Sequence, residues 1–155
     1  MTRVALDSNV LAYLAGVCRS AADDAKIARM RALAALLAQS ATLIAPTQTL
    51  GELFVVLRKG GASPAEAREI LVEFAEAFGS APSDKRIELS AADLVVDHQL
   101  QFWDSLIIAA AAEAGCTMLL SEDMQHGFVA RGLTIVNPLI EPPHPKLAAL
   151  TSAEA

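Results

Sequence analysis

Soft metal ligands are scarce in this chain: its 155 residues include two cysteines and three histidines. Cys18 and Cys116 are too few for a disulfide framework, and neither belongs to a Cys-x-x-Cys pair, so a reducing cytoplasm with both as buried thiols is expected. His98, His126 and His144 do not stand beside acidic residues at ligand-like spacing, which leaves them structural roles and makes zinc a poor fit. A basic excess is also missing. Twelve Lys and Arg stand against eighteen Asp and Glu, a formal charge of −6, whereas nucleic-acid binders usually carry a basic surface. Long hydrophobic runs are absent too. The longest uncharged stretch, Ala32 to Gly51, is broken by Gln39, Ser40, Pro46, Thr47 and Gln48, so no membrane span is expected. Only three apolar residues separate Arg3 from Asp7, far short of a signal-peptide core.

What the chain does have is apolar residues, at 54%. A chain of this length buries roughly two-thirds of its unfolded surface, which suffices for one domain without staples. Short apolar runs alternate with helical patterns along it. Val4-Ala5-Leu6 reads as a buried strand ending in the polar Asp7-Ser8-Asn9, and Val10 to Leu14 as a short helix closed by Gly16. Ile27, Met30, Leu33, Leu36 and Leu37 recur at helical spacing between Ala21 and Ala38. Thr42 to Ala45 is a second strand, and Pro46 opens a helix reaching about Arg58. Ser63-Pro64-Ala65-Glu66 is a capping box for a helix striped with Ile70, Leu71, Phe74 and Phe78. A weak strand over Arg86 to Leu89 is expected, then a helix start at Ser90-Ala91-Ala92-Asp93. Leu106 to Ala114 is a strongly apolar helix, and Thr117 to Leu120 and Leu133 to Val136 are the last strands. The alternation predicts an α/β fold with a parallel sheet covered on both faces. The domain is expected over residues 1–140, with 141–155 as a proline-containing tail unable to continue a helix or central strand at Glu141 to Pro145.

Four of the carboxylates stand in unusual surroundings. Asp7 closes a strand at the sheet's carboxyl edge, where open α/β sheets bind ligands, although a helix cap is an equally good role for it alone. Glu52 is the only charged residue between Pro46 and Leu57, and burying it unpaired would be costly. Asp104 is the only charged residue from Gln99 to Ala112. Asp123 follows a strand by three residues. Gathered at one edge of the sheet, these four would repel one another unless a cation joined them. An all-oxygen set of this kind suits Mg²⁺ or Mn²⁺.

Asp7-Ser8-Asn9-Val10-Leu11, Glu52, Phe102-Trp103-Asp104-Ser105-Leu106-Ile107 and Leu120-Ser121-Glu122-Asp123-Met124, in this order over residues 1 to about 140, resemble a PIN-domain protein. The single-domain form and Val136-Asn137-Pro138-Leu139 are similar to VapC-like toxins of toxin–antitoxin modules. The resemblance implies a three-layer α/β/α fold with a central parallel sheet of four to five strands. It also implies a metal-dependent endoribonuclease using one or two Mg²⁺ or Mn²⁺ ions, with Asp7, Glu52, Asp104 and Asp123 as the acidic quartet. Asn9 matches an auxiliary polar position, and Ser121 is a further candidate to orient a ligand or water. Asp104 fits the third position better than Asp93 or Asp97. Implied partners are an RNA substrate, a second copy of the chain and a small antitoxin that places a basic side chain in the pocket. Arg19, Lys26, Arg29, Arg31, Arg58, Lys59, Lys85 and Arg86 form groups able to hold phosphates around that pocket.

Rival enzyme classes fit less well. A haloacid-dehalogenase-type phosphatase needs a second aspartate where Asn9 stands, and a receiver domain needs a lysine after its last strands, where Asn137-Pro138 stands. The remaining alternative is a catalytically silent PIN-like binding or scaffold module.

Overall fold

The computed structural model describes residues 1–152; the last three residues of the expected tail, 153–155, lie outside the described residues. Strand β1 (Thr2–Leu6) leads into α1 (Ser8–Leu14) and the long α2 (Asp23–Ser40), then β2 (Ala41–Pro46) and α3 (Thr47–Lys59). Helix α4 (Pro64–Ala77), strand β3 (Gly79–Ala81), α5 (Lys85–His98) and α6 (Phe102–Glu113) follow. Strands β4 (Met118–Leu120), β5 (Val129–Ala130) and β6 (Leu133–Val136) precede a terminal helix, α7 (Pro145–Thr151).

The strands form one sheet in the order β3-β2-β1-β4-β6-β5, parallel throughout except for β5 against β6. Alternation along the strands divides the core into two layers. Val4 and Leu6 of β1 and Met118 and Leu120 of β4 pack with α1, α2 and α3 residues such as Leu11, Met30 and Leu53. Ala5 and Leu119 face the opposite way, onto Leu94 of α5 and Ile107 of α6. The three-layer α/β/α expectation is met. Beyond the five parallel strands, the sheet carries the short antiparallel β5 at its edge.

Successive strands run outward from β1 through β2 to β3, whereas the later strands β4 and β6 lie on its other side. The direction of winding therefore reverses between β1 and β4. A crevice opens at the carboxyl ends of strands at such a point, because the connecting helices leave to opposite faces.

The capping box at Ser63 and Glu66 forms as expected, with each side chain meeting the other residue's backbone N–H. The expectation fails for one strand and for the helix start at Ser90 to Asp93, which lies within α5. Arg86 to Leu89 is not a strand but the first turn of α5, and the third strand lies earlier, at Gly79–Ala81. The physical reason is Asp84, whose Oδ1 accepts the Ile87 N–H at 2.9 Å and so starts a helix. Ile87, Ala91 and Leu94 then bury one face of that helix at spacings of four and three. Proline limits the tail less than expected: Pro145 occupies the first turn of α7, where its missing N–H costs nothing, and Leu147 is buried against the core. Cys116 is buried as expected, but Cys18 is exposed in the loop after α1, where its thiol donates to the Ser20 carbonyl. No helix among the described residues is long and apolar enough to cross a membrane.

Candidate active site

Asp7 follows directly on β1, and its backbone N–H continues the sheet by donating to the Leu120 carbonyl of the neighbouring strand at 2.9 Å. Its side chain is buried, at 4% exposure. Three donors hold it: the Ser8 N–H at 2.7 Å to Oδ1, and Ser121 Oγ at 2.7 Å and Asn9 Nδ2 at 3.1 Å to Oδ2. The capping role and the pocket role are thus both realised by one carboxylate. One oxygen caps α1 while the residue lines a cavity of about 500 Å³.

That cavity collects the quartet. Asp7, Glu52, Asp104 and Asp123 all line it, together with Asn9 and Ser8. Glu52 reaches it from the middle of α3, which leaves the carboxyl end of β2, and Gln48 one turn earlier donates to Glu52 Oε2 at 3.3 Å. Asp104 stands in the first turn of α6, where the helix N-terminus favours a negative charge. Asp123 sits on the loop after β4, and Asn9 Nδ2 reaches its Oδ2 at 3.3 Å. Asn9 also accepts the Glu122 N–H at 3.1 Å through Oδ1, so a single amide ties the loop after β1 to the loop after β4. Asp93 and Asp97 lie on the exposed face of α5 and do not line the cavity.

Ser121 has a different role from that of a cavity-lining group. It is fully buried behind Asp7, donating to it and accepting the Met124 N–H at 3.1 Å, so it fixes the carboxylate rather than facing the cavity. A further cluster escaped the sequence reading. Glu122 accepts from Tyr13 Oη at 2.5 Å and from Lys26 Nζ at 2.7 Å, anchoring the loop that carries Asp123 to α1 and α2. The signal for Gln48 was its position four residues before Glu52 on one helix face; Tyr13 and Lys26 gave no such signal. The histidines take structural parts: His126 Nδ1 accepts the Asn137 N–H, and His144 Nδ1 accepts that of Lys146.

The four acids feel one another. Burial pushes the Asp7 carboxyl up from 3.8 to about 6, and the charges on Glu52 and Asp104 push the same way against its hydrogen bonds from Ser121 and Ser8. Asp104 is raised as well, by its own burial and then by Glu52 and Asp123. Among the described residues, no lysine or arginine forms an ion pair with any of the four; the ion pairs present are Lys26–Glu122, Arg29–Glu141 and Arg86–Glu113.

A divalent ion fits this donor set. The site offers carboxylate and amide oxygens, the hard ligands that Mg²⁺ and Mn²⁺ take, and lacks an internal cation to balance them. Among the described residues no three side chains are gathered closely enough to enclose an ion unaided.

Fold and cavity together define an α/β domain with an acidic centre at the carboxyl edge of a parallel sheet. The PIN domain family model matches residues 4–131, and the chain belongs to that family. Its fold is similar to that of VapC20 from Mycobacterium tuberculosis, a Sarcin-Ricin loop cleaving toxin, with a TM-score of 0.61 at 17% identity over 77% of this chain and 91% of that one. It is also similar to VapBC2 from Rickettsia felis, solved bound to a DNA fragment from its promoter, with a TM-score of 0.65 at 14% identity over 86% and 97% of the two chains. No curated protein sequence matches the chain.

Proposed function

We infer that the protein is a metal-dependent endoribonuclease, acting as the toxin of a toxin–antitoxin pair. The observation that carries this reading is the convergence of Asp7, Glu52, Asp104 and Asp123 on one cavity without a cationic partner among the described residues. The kinship in fold to a toxin that cleaves the Sarcin-Ricin loop supports RNA as the substrate, and the kinship to VapBC2 supports an antitoxin partner. A homodimer belongs to the same reading.

Asp7 and Asp104 are the residues that would hold a Mg²⁺ or Mn²⁺ ion directly, with Glu52 and Asp123 completing the set directly or through water. An ion bound there supplies a lowered water pKa and positive charge opposite the phosphoryl oxygens. Asn9 orients both Asp7 and Asp123, and Ser121 locks Asp7 in one rotamer. In the reaction, water oxygen bonds to phosphorus, the bond from phosphorus to the 3′ oxygen breaks, and that oxygen leaves protonated. The products are a 5′-phosphate and a 3′-hydroxyl.

End-group analysis of fragments from a structured RNA, cleaved with Mg²⁺ or Mn²⁺, tests this. Fragments with 5′-phosphates are expected. Cyclic 2′,3′-phosphates would indicate attack by the 2′-hydroxyl and contradict the reading. Ser121→Ala provides a finer check. It removes one of the three hydrogen bonds on Asp7, and loss of such a supporting partner typically costs 10–100-fold in activity or metal affinity. A fall of about that size in kcat/KM, with an unchanged circular dichroism spectrum, is expected.

A further inference from the structure

The chain carries eighteen acidic and twelve basic residues, so an RNA approaching the acidic cavity meets a field of the wrong sign unless cations are placed locally. Most of the basic side chains are already engaged. Lys26 is bound to Glu122, Arg29 to Glu141, Arg86 to Glu113, and Arg31 and Arg58 to backbone carbonyls. Arg3, Arg131 and Lys146 also have partners, which leaves Arg19, Lys59, Arg68 and Lys85 uncommitted among the described residues.

Two of those four share one place. Arg19, from the loop after α1, and Lys59, from the last turn of α3, line a cavity of about 300 Å³ with Val17, Cys18, Val56 and Gly60. None of its lining residues is acidic. This cavity is a neighbour of the acidic one, and Val56 lines both. A smaller cleft is lined by Arg19 together with Asn9, Glu122 and Asp123, and Glu122 is paired with Lys26. Asp23 also lines that cleft, but its Oδ2 is taken by the Arg19 backbone N–H at 2.9 Å.

We propose that Arg19 and Lys59 form a phosphate-binding subsite that seats an RNA backbone phosphate adjacent to the scissile one. The subsite rests on the nuclease reading and gives it a direction: the RNA strand leaves the acidic centre over Val56 along the seam between α1 and α3. Arg19 and Lys59 bind substrate and take no part in bond breaking. Their contribution therefore appears in KM and in salt dependence rather than in kcat.

The test is steady-state cleavage of a stem–loop RNA by Arg19→Ala/Lys59→Ala, beside Arg68→Ala/Lys85→Ala, which removes the same net charge elsewhere. A rise in KM of about tenfold or more with kcat within about twofold is expected for the first variant only. For the same RNA bound in an Asp7→Asn background, the slope of log affinity against log salt falls by about 0.7 in the first variant and not in the second, the equivalent of one single-strand phosphate contact. Arg19→Gln/Lys59→Gln repeats both readings with side chains that keep their bulk and polarity. Equal KM values for the two charge-removal variants, or a loss confined to kcat, would overturn the subsite while leaving the nuclease intact. Binding that depends on Arg19 and Lys59 without any cleavage by the parent protein would retain the subsite and remove the nuclease. If neither cleavage nor binding of RNA occurs, both fall.

Discussion

Asp7→Asn is expected to abolish RNA cleavage, lowering kcat/KM by about a thousandfold or more, the scale seen when one element of a preorganised charge-stabilising site is removed. The substitution removes the negative charge and keeps the shape. The amide oxygen can still accept the Ser8 N–H that caps α1, so the helix start survives. What is lost is the buried carboxylate held by Ser8, Asn9 and Ser121 at the reversal point of the sheet. Cleavage assays paired with circular dichroism and thermal melting separate loss of chemistry from loss of fold. Substantial residual activity with bound divalent ion would remove Asp7 from the centre of the site.

The second large effect is on stability, and it changes sign with the added ion. In the metal-free protein the Asp7 carboxyl titrates near 6 when folded, above its ordinary 3.8, so the folded chain binds the proton more tightly than the unfolded one. The stability this group contributes is therefore fully present below about pH 4 and is lost as the pH rises through 6. The shift corresponds to a loss on the order of 3 kcal/mol. Asp7→Asn cannot ionise, so its stability relative to the parent chain rises by up to about that amount between pH 4 and pH 8, as read from urea denaturation at each pH. Mg²⁺ or Mn²⁺ reverses the order at pH 8. A ligand at a thousand times its dissociation constant adds about 4.1 kcal/mol to the state that binds it, more than the ionisation of Asp7 removes, and the variant lacks the carboxylate that would hold it. A parent melting temperature that ignores the ion, or a stability difference independent of pH, would contradict this account.

The acidic centre was readable because three of its members, Asp7, Glu52 and Asp104, interrupt otherwise uncharged segments. Glu52 stands alone between Pro46 and Leu57, and Asp104 stands alone between Gln99 and Ala112. A carboxylate in an apolar segment needs a reason, and both residues are half-buried and line the cavity. The parallel sheet was equally readable, since Val4 to Leu6, Thr42 to Ala45 and Leu133 to Val136 are short apolar runs separated by helices. Edge strands were not. Gly79-Ser80-Ala81 has no β-branched or aromatic residue, and β5 is only two residues long, so their strand character comes from pairing with β2 and β6. Arg86 to Leu89 was misread because four residues do not distinguish the period of a strand from that of a helix, and the Asp84 cap decides it. Ser121 is expected from its place in the motif to orient a ligand or water, and its hydroxyl donates to the Asp7 carboxylate. The uncommitted state of Arg19 and Lys59 depends on the partners taken by eight other cations, which no local pattern encodes.

The most direct measurement is cleavage of a structured RNA by the purified protein in Mn²⁺, before and after chelation, with Asp104→Asn in parallel. The account predicts cleavage that stops on chelation, returns when Mn²⁺ is restored, and is absent in the Asp104→Asn protein although that protein melts cooperatively. Cleavage that persists through chelation, or that Asp104→Asn retains in full, would contradict a metal-dependent acidic centre. An RNA left intact by a well-folded parent protein with Mn²⁺ present would favour a silent PIN module instead.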